Sequence, residues 1–244
     1  MAVVTGGGTG IGRATARALA ADGMRVLVVG RTPDTLAGTA AGHGDVRTLV
    51  ADLTDDGVPE RITAAALEAF GRLDVLVHNA AAVLPEPVGA VTREHARTQV
   101  ETNLLAPVML TRAALPALAA ARGTVVAVGT AAVQGRRAFA GLSLYGATKT
   151  ALDFLVRTWA VELAPLGVRA VGVAPGETDT CIGERMGWSP ADIARHQAEA
   201  AARTPSGRVG RPEDVAWWIT RLTRPEAVYA SGTVVAVDGG ASVA

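Results

Sequence analysis

The chain has 244 residues, 49% of them hydrophobic, with 23 basic and 23 acidic side chains and a formal net charge of zero. That length and apolar content suffice for a sizeable core in one open α/β unit, and the neutral balance, with a pI near 6.9, leaves no basic footprint for nucleic acid or an anionic membrane surface. A lone cysteine, Cys181, excludes an internal disulfide and fits a reducing, cytoplasmic setting.

The chain opens with "MAVVTGGG", which has no basic n-region, so no targeting segment is expected. Its first β-branched run predicts a strand near 2–5, and a helical pattern follows near 11–22. Further strands are predicted near 25–29, 46–51, 74–78, 123–130, 168–174 and 233–237. Helices are predicted near 59–70, 92–119, 143–164 and 212–223, with a short, poor one over 32–41. The runs "VLVV", "TVVAV" and "VRAVGVA" lack polar alternation, as parallel strands buried on both faces do. The stretch 104–121 is apolar, but Pro107, Arg112 and Pro116 interrupt it, and no membrane span is expected. The segment 179–206 breaks the strand–helix rhythm and predicts a helical flap over a site. Strand–helix alternation implies right-handed βαβ units. The expected fold is α/β: a single domain over 1–244, with a doubly wound Rossmann-type parallel sheet of about seven strands.

"VVTGGGTGIGRA" sets Gly6, Gly10 and Gly12, with Ile11 between the last two, where the first strand gives way to the first helix. Glycines there let the backbone turn sharply and approach a pyrophosphate seated on the helix N-terminus. A dinucleotide site commonly has an acid at the end of the second strand for the ribose 2′-hydroxyl. This chain has Gly30-Arg31 instead. A guanidinium can pair bidentately with a 2′-phosphate, which favours NADP(H) over NAD(H).

The chain holds one lysine, Lys149, and two tyrosines, Tyr145 and Tyr229. Tyr145 and Lys149 are at i and i+4 and share a helix face. Leu152, Val156, Trp159 and Leu163 follow at helical spacing and anchor that helix. A nearby ammonium lowers a phenol's pKa by favouring the phenolate, and it offers a ribose hydroxyl donors that a planar guanidinium places differently. Asn103 precedes Pro107 by four residues. Pro107 has no N–H, so the helical bond to the Asn103 carbonyl cannot form, and that carbonyl can hold a water.

With these motifs the sequence resembles the short-chain dehydrogenase/reductase family along essentially its whole length. The matching stretches are "TGGGTGIG" (5–12), "VADLTD" with Asp52, "HNAA" (78–81), "VETNLLAP" with Asn103, "LYGATK" (144–149), "PGETDT" (175–180), "GRVGRPEDVAW" (207–217) and "VDGG" (237–240). The resemblance implies Tyr145 as general acid/base, Lys149 as the group that lowers its pKa and binds nicotinamide ribose, and Asn103 in a water-mediated relay. It implies Asp52 and Leu53 at the adenine, Asn79 and Ala80 at the ribose, and Val173, Pro175, Gly176 and Thr180 around the nicotinamide. It also implies a homo-oligomer, a dimer or tetramer. His78, where the family usually has Asn, reads as a satisfied core histidine.

The family's substrate-orienting serine has no direct match. Counted back from Tyr145 it falls on Ala132; counted along the preceding strand it falls on Thr130. Strand register resists slippage while loops accept insertions, so the hydroxyl is expected at Thr130. Val83, Leu84, Phe139, Leu142, Met186 and Trp188 are candidate substrate walls for a mostly apolar carbonyl or alcohol, with Arg136 and Arg137 able to meet an anionic tail. The four histidines are scattered and no metal is expected. The favoured function is an NADP(H)-dependent oxidoreductase; the alternative is a nucleotide-binding sensor or scaffold that lost efficient chemistry.

Overall fold

A computed structural model describes residues 1–135, 138–185 and 187–244; the candidate wall residue Met186 and the candidate anion contacts Arg136 and Arg137 lie outside the described residues. The β-branched runs become β1 (Ala2–Thr5), β2 (Val26–Gly30), β3 (Val46–Val50), β4 (Val75–His78), β5 (Thr124–Val128), β6 (Arg169–Pro175) and β7 (Val234–Val237). They form one parallel sheet in the order β3-β2-β1-β4-β5-β6-β7. Every residue of β1 and of β5 is buried, which accounts for the missing polar alternation. Strand order reverses between β1 and β4, so a crevice opens beyond their carboxyl ends, where such sheets bind ligands.

The helices are α1 (Gly10–Ala21), α2 (Pro33–Ala40), α3 (Val58–Phe70), α4 (Arg93–Val100), α5 (Ala106–Ala121), α6 (Ser143–Glu162), α7 (Ile182–Arg185), α8 (Pro190–Arg203) and α9 (Pro212–Thr223). Alternate strand residues feed opposite layers. Val3, Leu27 and Leu76 pack with Ile62 of α3, Leu110 and Leu118 of α5 and Trp159 of α6. Val4, Val28 and Val77 pack with Leu19 of α1, Leu36 of α2 and Ile219 of α9. Each fully buried leucine contributes roughly 1.5–3 kcal/mol of transfer free energy.

Two elements differ in detail from the sequence expectation, and the helical flap agrees with it. The helix expected over 92–119 is α4, a π-helical turn at Glu101–Leu105, then α5. By length and composition the run Arg93–Ala121 could cross a membrane; its apolar stripe is explained by Leu110, Ala114 and Leu118, which are buried in the core. The strand expected over 123–130 ends at Val128, although Gly129 N–H still donates to the Val173 carbonyl at 2.8 Å. The flap over 179–206 contains α7 and α8. Its base is fixed by paired backbone bonds, Asp179 N–H to Gly210 O at 2.8 Å and Gly210 N–H to Glu177 O at 2.9 Å.

Candidate active site

The loop between β1 and α1 turns on Gly6 and Gly10, whose φ values of +63° and +51° are left-handed and suit glycine. A Cβ on Gly12 would stand 2.3 Å from the Gly6 carbonyl oxygen, so the loop closes only without one. Ile11, in the first turn of α1, packs against the core. Thr5 ties the crevice together: its Oγ1 donates to Val77 O and accepts from the backbone N–H groups of Asn79 and Ala80 at 3.0 and 3.2 Å. Asn79 Nδ2 donates to the carbonyls of Thr5 and Gly6. Thr180 leans over this floor, its Cβ 3.1 Å from where a Cβ on Gly10 would be. A bare glycine floor at the N-terminus of a 12-residue helix fits a pyrophosphate, so these residues fit a bound dinucleotide.

Around that floor, Arg31 Nη1 lies 3.7 Å from Asp52 Oδ2, with the Arg31 side chain 77% exposed. Asp52 also accepts from the backbone N–H and hydroxyl of Thr54, and Leu53 packs on the core. Pro175 ends β6, and Gly176 donates to Val237 O while pressed against Asp238.

Tyr145 and Lys149 lie one turn apart on α6. Lys149 is 2% exposed, donates to Val128 O at 2.7 Å, and sets its Nζ 5.9 Å from the Tyr145 ring centroid. Burial pushes the ammonium down to about 8, and the charge of Asp153 opposes that. Tyr145 departs from the expected lowering by Lys149. Burial pushes its phenol up to about 12; a hydrogen bond with the Thr130 side chain opposes the rise, and the charge of Glu177 adds to it. The ammonium is turned toward Val128, so desolvation prevails. Tyr145 is therefore protonated at neutral pH.

Thr130 is extended, with φ −156° and ψ 140°, and caps a 3₁₀ turn at Ala131–Val133 by accepting from Ala132 N–H at 3.3 Å. Its side chain acts on the Tyr145 phenol, lowering its pKa against the effect of burial, whereas Ala132 has no hydroxyl to offer. Asn103 sits in the π turn, 1% exposed. Its Oδ1 accepts from Ala82 N–H at 2.8 Å, and its Nδ2 donates to Ala82 O and to Thr148 Oγ1 at 2.9 and 3.1 Å. Thr148 in turn donates to Tyr145 O at 2.8 Å. These bonds engage both polar atoms of the Asn103 side chain. The π turn closes through Ala106 N–H to Glu101 O.

His78 is a core residue, as its strand-end position suggested: its Nε2 lies 2.8 Å from Thr111 Oγ1, and burial, then the Lys149 charge, pushes it down to about 3. Val83, Leu84 and Leu142 are partly buried, while Phe139 and Trp188 are more open. Sequence reasoning missed Thr5, Thr148, Asp153 and Glu177. Thr5 could have been found, since a threonine immediately before the glycine loop stands at the strand-order reversal. Glu177 carried no spacing signal; His196 of α8 meets it at 2.9 Å across the flap.

The family described as Enoyl-(Acyl carrier protein) reductase matches residues 6–242. A cis-4-hydroxycyclohexanecarboxylate dehydrogenase from Sinomonas cyclohexanicum is 38% identical over 98% of this chain and 95% of its own. Among solved structures, a short-chain dehydrogenase/reductase of unknown function from Caenorhabditis elegans, with cofactor, superposes with a TM-score of 0.93 at 31% identity, covering 99% of this chain and 94% of that one. A 3-ketoacyl-(acyl-carrier-protein) reductase from Brucella melitensis, complexed with NADH, gives a TM-score of 0.90 at 26% identity over 99% of this chain and 98% of that one.

Proposed function

This chain belongs to the short-chain dehydrogenase/reductase family, and from that membership we propose that it moves hydride between NADP(H) and a carbonyl or secondary-alcohol carbon of a mostly apolar small molecule. It is an oxidoreductase of that family. The observation that carries the finer reading is Tyr145 one turn of α6 from the buried Lys149, whose Nζ lies 5.9 Å from the Tyr145 ring centroid.

The Thr130 and Tyr145 hydroxyls would receive one substrate oxygen between them. Thr130 donates to it and orients it, and Tyr145 donates to it and passes its proton to the developing alkoxide during reduction. A phenol that stays protonated at neutral pH suits that donor role. Lys149 would turn from Val128 O to hold a ribose hydroxyl, and water on the Asn103 carbonyl would return the proton. The cofactor, when bound, supplies or accepts the hydride. Gly6, Gly10, Ile11 and Gly12 would hold its pyrophosphate, Arg31 its 2′-phosphate, and Asp52 and Leu53 its adenine. Asn79 and Ala80 would line the ribose, with Pro175, Gly176 and Thr180 at the nicotinamide.

Residues 1–244 would act as one cytoplasmic domain with its flap. Exposed Phe154 and Val161 on α6, and Trp217 and Trp218 on α9, support assembly into a homodimer or homotetramer. The cyclic secondary alcohol in the Sinomonas relative's name falls within the proposed substrate class. The non-catalytic alternative drew on a missing hydroxyl, which on this reading Thr130 supplies. The test is NADPH oxidation with a panel of cyclic and aryl ketones. Tyr145→Phe should lower kcat by on the order of 100-fold or more while NADPH still binds. Wild-type activity no higher than the variant's would overturn the proposal.

A further inference from the structure

Asp153 has no part in the reading above, yet its side chain is buried on α6 one turn beyond Lys149. A carboxylate out of water is costly unless something holds it. Its Oδ2 accepts from Gln134 Nε2. Its Oδ1 lies 2.7 Å from where a Cβ on Gly129 would stand, so the carboxylate packs against the residue just before Thr130. Until a ribose hydroxyl draws it away, Lys149 grips the residue before that, through its bond to Val128 O. Gln134 follows the 3₁₀ turn that Thr130 caps. That segment is closed from its far side too, since a Cβ on Gly135 would come 2.3 Å from the Ser242 carbonyl oxygen.

We propose that Asp153 is a positioning residue: it sustains the charge of the buried Lys149 through space and, with Gln134, holds the end of β5 so that Thr130 keeps its place beside Tyr145. This inference rests on the oxidoreductase reading of the Tyr145 site. The charged and titratable groups around the pair are Tyr145 and Arg157 of α6, His78 at the end of β4, and Glu177 after β6. Arg157 stabilises the Asp153 carboxylate, His78 is kept neutral by burial, and Glu177 acts on Tyr145. Burial pushes Asp153 up to about 6 and Lys149 down to about 8, each opposed by the other's charge. Both are therefore ionised between those two values, which brackets neutral pH.

Lys149 is the only lysine in the chain, so carbon-13 at lysine Cε gives a single resonance whose titration reports this site alone. Asp153→Asn keeps the shape and an acceptor for Gln134 but removes the charge. Its lysine resonance is expected to titrate at lower pH than in wild type, and the alkaline limb of kcat/KM is expected to move down with it. Gln134→Ala, on an exposed residue, releases the loop. It is expected to lower kcat on the order of 10-fold, through misplacement of Thr130, with NADPH KM unchanged. Normal wild-type turnover with an unshifted lysine resonance in Asp153→Asn overturns the electrostatic role, and wild-type kcat in Gln134→Ala overturns the clamp. Absence of turnover in wild type sinks the functional reading itself, and the catalytic claim for Asp153 with it.

Discussion

In the proposed reading, the choice of NADP(H) over NAD(H) rests on the Arg31 guanidinium. Its contact with Asp52 is 3.7 Å long and open to solvent. Such surface pairs are worth about 0–1 kcal/mol, so Asp52 is a weak competitor for it. A 2′-phosphate offers charge-assisted bonds of roughly 1.5–3 kcal/mol. Arg31→Ala should therefore weaken NADPH binding by about 10-fold to 150-fold and leave NADH binding nearly unchanged, as read by nucleotide fluorescence titration. Tighter binding of NADH than of NADPH by wild type would reverse the assignment. Arg31 stands out in the sequence because it follows the second strand, which ends at Gly30, where dinucleotide sites commonly have an acid. Asp153 does not. Its spacing from Lys149 resembles any i,i+4 surface pair, and only its burial against Gly129 sets it apart.

At the scale of elements, Thr130 turns on whether strand register or loop length yields. The β5–β6 ladder runs through Val128↔Val173 and gains one more bond from Gly129, which leaves Thr130 no freedom to slip. The segment that follows is a 3₁₀ turn at Ala131–Val133, a connecting stretch of the kind that accepts insertions. Thr130→Val keeps the β-branched shape and deletes the hydroxyl. Steady-state kinetics should show kcat lower on the order of 100-fold with little change in NADPH KM, while Thr130→Ser remains active. Equal activity in the valine variant would remove Thr130 from the site. The seven strands and the main helices were legible because burial on two faces and helical periodicity both write directly into residue order. The π turn at Glu101–Leu105 was not, beyond the missing N–H of Pro107, because its extra residue per turn leaves the apolar spacing intact over so short a stretch.

Across the whole molecule, the carboxyl edge of the sheet is where polar groups are buried against their own stability. His78, Asn103 and Lys149 are each at most 4% exposed there, and Asp153 is 6% exposed. His78 makes this measurable. Its folded imidazole is held near 3 by burial, against an ordinary value of 6.5, so it stays neutral while the unfolded chain takes up a proton. The folded form's advantage is complete above about pH 6.5 and is lost progressively as pH falls toward 3. At pH 5 that amounts to about 2 kcal/mol. Asp153 works in the opposite sense, because its raised pKa lets the folded form bind a proton first on acidification. It does so in wild type and variant alike, so their difference isolates His78. His78→Gln preserves a hydrogen-bonding side chain for Thr111 without a group that titrates. Urea denaturation at pH 7 and pH 5 should therefore show wild type losing about 2 kcal/mol more than His78→Gln over that interval. Equal losses in the two proteins would mean that the histidine is protonated while the core around it is still folded.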